Sequence, residues 1–209
     1  MELEYVLPGE IEKRSFEMIG KELDDMGITL PKDKAFLIKR AIHTTADFDY
    51  AKTLYFSDGA IDRVKELLKE GATIVTDTNM ALAGINKKVL AELGGKALCF
   101  MADEDVAKEA KDRGLTRAAV SMEKAARLDG PVIFAIGNAP TALVALREMY
   151  DKKDYRPSFV IGVPVGFVNV EAAKELIIDT DIPCIINRGR KGGSNVAAAI
   201  CNALLYSLR

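Results

Sequence analysis

The sequence of 209 residues contains a single histidine and only three cysteines. The cysteines, Cys99, Cys184 and Cys201, form no CxxC pair, and each lies in an apolar segment. A zinc site draws its ligands from several Cys and His side chains, so a metal site is not expected. Isolated thiols in apolar surroundings are typical of buried, reduced cysteines in a cytoplasmic protein.

The sequence also lacks a long apolar run and an excess of one charge. No apolar run reaches the ~18 residues of a membrane span. The acidic first five residues lack the basic and then apolar order of a signal peptide. With a net charge of -2, nothing indicates a nucleic-acid-binding protein. The 49% hydrophobic content fits one core, so we expect residues 1–209 to form a single domain.

From about Gly71 onward, short β-branched runs alternate with segments of helical length. The runs are continuously apolar, as in strands that are covered on both faces. The predicted strands are Ala72–Thr76, Lys96–Phe100, Val132–Ile136, Ser158–Ile161 and Pro183–Ile186, with Lys52–Phe56 as a further candidate. Helices are predicted over Asp103–Arg113, Pro140–Tyr150 and Asn169–Ile178. This alternation predicts a three-layer α/β/α fold with a mostly parallel sheet.

The first fifty residues have a helical pattern instead. Apolar residues recur at helical spacing within Pro8–Met26, and Pro31 is a suitable first residue for a second helix that runs through Ile42. We interpret residues 1–50 as a helical extension that packs on the α/β body.

Glycine, proline and polar residues collect in four loops that follow predicted strands. These loops are Thr76–Met80, Ile136–Pro140, Ile161–Asn169 and Asn187–Asn195. Ligands of parallel α/β sheets bind beyond the carboxyl ends of the strands, so the loops should line one crevice. Gly137 and Asn138, before Pro140, fit either a tight turn or a part of that crevice.

The last of these loops combines positive charge with glycine. Its notable residues are Arg188, Arg190, Lys191, Gly192, Gly193, Ser194 and Asn195. The basic side chains favour an anion, the glycines let backbone N–H groups approach a ligand, and the serine or asparagine can cap the next helix. The alternative is a capped helix with a solvated basic turn. The loop is not a P-loop, and no dinucleotide-binding fingerprint follows a strand.

Two further residues have both a functional and a structural interpretation. His43 lies near the end of the second predicted helix, where it would share a face with Lys39 and Asp47. Histidine exchanges protons near neutral pH, but the spacing alone favours a surface histidine at a helix C-terminus. Arg117, in a rather apolar stretch, is either a ligand clamp or a side chain that extends to solvent.

Five segments, taken together in order and spacing, resemble the precorrin-8X methylmutase family over nearly the whole chain. They are Pro8–Phe16, Arg40–His43, Gly137–Leu143, Gly162–Val168 and Arg188–Ser194. The resemblance implies an isomerase of cobalamin biosynthesis that moves a methyl group from C11 to C12 of a corrin precursor. The product is hydrogenobyrinate or its cobalt counterpart, cobyrinate. His43–Tyr50 looks more like the branch that acts on cobalt-precorrin-8.

The resemblance also implies residue roles. His43 matches the family's proton donor or acceptor, and Ser15, Arg40 and Arg117 match substrate-binding positions. The other predicted substrate-binding residues are Gly137, Asn138, Arg188, Arg190, Gly192, Gly193 and Ser194. No cofactor is expected, because the methyl shift needs neither redox chemistry nor a protein-bound metal, and any cobalt belongs to the substrate. Family members are homodimers with the site near the subunit interface, so a homodimer is expected.

Two other functions stay open at the level of sequence. A phosphate- or nucleotide-dependent transferase or oxidoreductase would use the glycine loops, although the missing fingerprints count against it. A non-catalytic tetrapyrrole-binding protein would use the same crevice without turnover.

Overall fold

The computed structural model describes residues 4–209, in which six strands form one sheet. The strands are β1 (Leu54–Phe56), β2 (Thr73–Thr76), β3 (Lys96–Leu98), β4 (Val132–Ile136), β5 (Phe159–Gly162) and β6 (Cys184–Asn187). Their spatial order is β1-β6-β5-β4-β2-β3, and only β1, at one edge, pairs antiparallel. The prediction of a mostly parallel sheet is therefore confirmed.

Helices connect the strands and cover both faces of the sheet. A 3₁₀ turn at Pro8–Glu10 precedes α1 (Ile11–Asp25), α2 (Ala35–Thr45), α3 (Tyr50–Thr53), α4 (Ala60–Lys69), α5 (Asn79–Gly84) and α6 (Lys87–Glu92). The later helices are α7 (Glu104–Arg113), α8 (Arg117–Ala125), α9 (Pro140–Asp151), α10 (Val170–Ile178) and α11 (Ser194–Tyr206).

The core consists of two apolar layers, one on each face of the sheet. Along β4, Ile133 and Ala135 belong to the layer under α2, α4 and α11, whereas Val132, Phe134 and Ile136 belong to the layer under α8, α9 and α10. A strand buried on both faces needs apolar side chains at every position, which explains the unbroken apolar run. The predicted α/β/α layering is confirmed.

The N-terminal helices lie against α11, the C-terminal helix. Phe36, near the start of α2, shares a cavity with Tyr206 at the end of α11, while Asp47, just after α2, contacts Lys191, just before α11. The two helices are therefore antiparallel. The C-terminal end of α2, which carries His43, is directed to the carboxyl edge of the sheet.

The start of α2 differs from its prediction. Pro31 lies before the helix, and its carbonyl accepts hydrogen bonds from the N–H groups of Lys34 and Ala35. The helix itself begins at Ala35, because the chain first turns at residues 32–34. The prediction that Pro31 opens the helix is wrong.

The described part of the chain contains no helix that is long and apolar enough to cross a membrane. Cys184 and Cys201 are buried, and burial raises the pKa of the Cys184 thiol to about 11 and that of Cys201 to about 12. Both side chains therefore remain neutral thiols at physiological pH.

Candidate active site

The four predicted loops meet at the carboxyl edge of the sheet. The hydroxyl groups of Thr78 and Ser194 are 2.8 Å apart, which joins the loop after β2 to the start of α11. The N–H group of Gly193 donates to the carbonyl of Val163 at 2.9 Å, which joins the loops after β6 and β5. The expected convergence of these loops is confirmed.

Asp77, directly after β2, fixes the turn that follows β4. Its buried carboxylate accepts hydrogen bonds from the N–H groups of Gly137 (2.9 Å), Asn138 (2.8 Å) and Ala139 (2.6 Å). Burial raises the pKa of Asp77, and the three N–H donors oppose that rise. Because these amides are occupied, the exposed side chain of Asn138 is the group that this turn offers to a ligand.

The glycines of the edge allow close packing between loops. A Cβ atom on Gly192 would lie 2.0 Å from the carbonyl oxygen of Val163, and one on Gly137 would lie 2.7 Å from the Cα atom of Ser194. Helix α11 begins after Gly193 without a side-chain cap. The prediction that Ser194 or Asn195 caps this helix is wrong, since the Ser194 hydroxyl bonds to Thr78 instead.

Acidic residues surround the basic side chains of the last loop. Arg190 pairs with Glu171 at 2.7 Å, and Arg188 approaches Glu175 at 3.7 Å; both glutamates belong to α10. Lys191 extends in the other direction, toward Asp47 and Asp49. These arginines remain exposed, so solvent weakens the pairs and a ligand carboxylate can replace the glutamates at low cost.

Lys191 connects the basic loop (Asn187–Asn195) to the segment after His43. Its ammonium group lies 2.6 Å from carboxylate oxygens of both Asp47 and Asp49. The hydrogen bond from Lys191 lowers the pKa of Asp47 below its usual range. Helix α2 ends before Ala46, which has a left-handed conformation (φ 53°), so the prediction that Asp47 extends the helical face of His43 is wrong.

His43 is exposed, and an aromatic side chain from α1 orients it. Its ring centroid lies 5.3 Å from that of Phe16, with an interplanar angle of 30°. The guanidinium carbon of Arg40 lies 4.8 Å from the same phenyl centroid, and Arg40 donates a 2.5 Å hydrogen bond to Glu12. The hydrogen bond from Arg40 lowers the pKa of Glu12, and the nearby His43 contributes in the same direction.

Two cavities meet at Phe16. An open one of about 950 Å³ is lined by α1 and Lys39, and a smaller, mainly apolar one of about 350 Å³ lies between α1, α2 and α11, with Arg40 in its wall. These volumes lie in the range of small-molecule sites. Ser15 precedes Phe16, and its hydroxyl donates to the carbonyl of Ile11 at 2.9 Å.

Arg117 is the first residue of α8 and is exposed. The neighbouring Thr116 donates a 2.9 Å hydrogen bond to Thr141, in the first turn of α9. This bond puts Arg117 beside the turn that carries Asn138. Arg117 has no ion pair among residues 4–209.

The predicted site residues thus form two groups. Arg40 and His43 both contact Phe16, which Ser15 precedes in the chain, and the remaining predicted residues lie along the carboxyl edge. The contact of Lys191 with Asp47 links the two groups. Sequence reasoning missed Asp77 and the contact of Phe16 with His43, although Asp77 lies in the loop Thr76–Met80 after the first predicted strand. Within residues 4–209, no cluster of three or more His, Cys, Asp or Glu side chains is suited to a metal ion.

Comparisons with known proteins give one consistent result. The family described as precorrin-8X methylmutase matches residues 10–207. A cobalt-precorrin-8 methylmutase of Salmonella typhimurium is 44% identical over 207 residues, which cover 97% of this chain and 96% of the relative. A precorrin-8X methylmutase of Pseudomonas aeruginosa is 37% identical, with 97% of each chain covered. The crystal structure of a precorrin-8X methylmutase from Thermus thermophilus superposes with a TM-score of 0.83 at 34% identity, covering 94% of this chain and 96% of that one.

Proposed function

Because this chain belongs to the precorrin-8X methylmutase family, and is thus an isomerase of cobalamin biosynthesis, we propose that it moves the C11 methyl group of a precorrin-8 macrocycle to C12. The reaction is an intramolecular 1,5-sigmatropic shift, in which the bond from the methyl group to C11 breaks as its bond to C12 forms. No atom enters or leaves the molecule. The protein has to hold the macrocycle and bias its electron distribution.

His43 supplies that bias as a proton donor or acceptor to a ring nitrogen. The observation that carries this role is the position of the chain's only histidine, which is exposed and packs against Phe16, a residue that lines both cavities. A hydrogen bond to a nitrogen on which charge develops stabilises the rearranged electron distribution.

The basic residues bind the carboxylates around the macrocycle. Arg40 lies next to His43, and Arg117, Arg188 and Arg190 are exposed at the carboxyl edge. Guanidinium groups form strong, charge-assisted hydrogen bonds with carboxylates. The exposed side chain of Asn138 adds a neutral contact. The amides of Gly137 and Gly193 are bonded within the protein, so these glycines contribute by letting the loops approach each other.

The natural substrate is proposed to be cobalt-precorrin-8. The relatives named for the cobalt substrate reach 44% identity, whereas those named for precorrin-8X reach 37%. The protein needs no cofactor of its own for this reaction, because the cobalt is a part of the substrate. We also propose a homodimer that acts in the cytoplasm.

Anaerobic incubation with each macrocycle tests the function. Purified protein should convert cobalt-precorrin-8 faster than precorrin-8X, with a change in absorbance and no change in mass, since the product is an isomer. Equal rates with the two macrocycles would contradict the proposed preference for cobalt-precorrin-8 but not the methylmutase activity. Binding of both macrocycles without any isomerisation would instead support a non-catalytic tetrapyrrole-binding protein.

A further inference from the structure

Lys174 is a charged side chain with no exposed surface, on the helix that faces the basic loop. Its ammonium group donates hydrogen bonds to the backbone carbonyls of Gly189 (2.6 Å) and Lys191 (3.0 Å). The carbonyl of Lys191 also accepts a 2.8 Å hydrogen bond from the side chain of Asn187, which is itself buried. Two backbone carbonyls of this irregular loop are therefore hydrogen-bonded to the buried side chains of Lys174 and Asn187.

These bonds determine which groups of the loop are exposed. With the carbonyls of residues 189 and 191 directed to Lys174, the side chains of Arg188 and Arg190 lie on the outside. Glu171 and Glu175, three residues before and one residue after Lys174, pair with the same two arginines. One face of α10 thus contacts both the backbone and the side chains of the loop.

Burial of an ammonium group is expensive, and a methionine of similar length would fill the same space without that cost. Burial also lowers the pKa of Lys174 to about 8. A methionine would make neither hydrogen bond, whereas Lys174 bonds a defined pair of carbonyls and thereby fixes the conformation of the loop.

We propose that Lys174 is a positioning residue that holds Arg188 and Arg190 in the orientation that binds the carboxylates of the substrate. This inference rests on the proposed function. The same bonds fix Lys191, whose side chain contacts Asp47, four residues after His43. Lys174 therefore also sets the position of the basic loop relative to the histidine.

The test is a binding measurement with Lys174→Met, using cobyrinate and cobinamide, a corrinoid whose peripheral carboxylates are amides. Lys174→Met should bind cobyrinate at least tenfold more weakly than the wild type, and its affinity for cobinamide should change by less than about threefold. The kcat at saturating substrate should be retained while KM rises. A residue needed only for folding would not alter the preference for carboxylates.

Lys108→Met, on the exposed surface of α7, is the matched control and should behave as the wild type. If Lys174→Met does not fold, Asn187→Ala, which removes another bond to the Lys191 carbonyl, should give the same loss of preference. Unchanged cobyrinate affinity in a folded variant would overturn the inference. Absence of any corrinoid binding by the wild type would instead contradict the proposed function.

Discussion

At the scale of single residues, the arrangement around His43 depends on one phenyl ring. Phe16 contacts both the imidazole ring and the Arg40 guanidinium group, and Glu12 holds that guanidinium group from the other side. Aromatic and cation–π contacts each contribute roughly 0.5–1.5 kcal/mol. That energy is enough to favour one orientation of an exposed histidine over its alternatives.

Replacing Phe16 by leucine should lower kcat about tenfold with a smaller change in KM, because His43 loses its orienting ring. Phe16→Tyr should retain most of the activity. Since the chain has one histidine, isotope labelling of histidine gives a single set of ring NMR signals. The ring-current shift of these signals should disappear in the leucine variant and persist in the tyrosine variant. Equal kcat values in both variants would contradict this role.

Arg117 offers a simple test of carboxylate binding, since it has no ion pair within the described residues. A hydrogen bond between charged groups contributes about 1.5–3 kcal/mol. Arg117→Gln should therefore weaken cobyrinate binding by about tenfold or more, as measured by titration calorimetry. Arg127→Gln, just beyond the other end of α8, is the control. Equal affinities of the two variants would exclude Arg117 from the site.

At the scale of elements, the sequence predicts the central strands better than the ends of helices. Both faces of β4 are covered, so its apolar run and its bounds coincide at Val132–Ile136. The predicted run of β3 extends to Phe100, but pairing with β2 ends at Leu98. The bounds of α2 depend on a turn after Pro31 and on the left-handed Ala46, which hydrophobic spacing does not reveal.

In the candidate site, too, some features follow from the sequence pattern and others do not. The loops at the strand ends follow from the topology, so their convergence was predictable. The role of Lys174 was not, because a lysine in an amphipathic helix has the sequence pattern of a solvated residue. Its partners are backbone carbonyls, which leave no trace in the pattern of side chains. Likewise, the family resemblance indicates His43, but only the fold reveals its contact with Phe16.

The contact between α10 and the basic loop predicts a dependence of stability on pH. Lys174 has a pKa of about 8 in the folded protein and about 10.5 when unfolded, so the unfolded chain binds more protons between these values. The free energy of unfolding should therefore rise with pH across this window, by on the order of 3 kcal/mol at most. Above the window the lysine is neutral in both states.

Lys174→Met lacks the ammonium group that titrates. The difference in the free energy of unfolding between wild type and variant therefore reports the titration of Lys174. Urea unfolding at pH 7, 9 and 10.5 should show the wild type gaining stability relative to the variant as the pH rises. Tyr50 and Tyr155, whose pKa values burial raises to about 12, are common to both proteins and cancel in the difference. A stability difference between the two proteins that does not change with pH would contradict the conclusion that Lys174 is buried and charged at neutral pH.

At the scale of the whole molecule, the proposed site combines residues from the N-terminal and C-terminal parts of the chain. His43 lies in the N-terminal helices, and the basic loop lies just before α11. The ion pair between Lys191 and Asp47 joins these two parts. At the same edge, Phe167 and Val168 are 81% and 79% exposed. Adjacent apolar side chains with such exposure are suited to contact a second subunit.

The proposed homodimer predicts a mass of twice 22.8 kDa in sedimentation equilibrium. Substitution of both apolar residues, Phe167→Ser with Val168→Ser, should shift the protein toward the monomer, because the contact loses apolar area. A wild-type protein that stays monomeric at micromolar concentration would rule out the dimer.

His43 is proposed to perform the proton chemistry in a site whose other residues bind the macrocycle. The most direct measurement follows the anaerobic isomerisation of cobalt-precorrin-8 by wild-type protein and by His43→Ala, together with the affinity of each for cobyrinate. We expect His43→Ala to bind cobyrinate within about threefold of the wild type, whereas its kcat should fall by a factor of ~10² or more. A His43→Ala variant that isomerises its substrate at the wild-type rate would contradict the proposed role of His43.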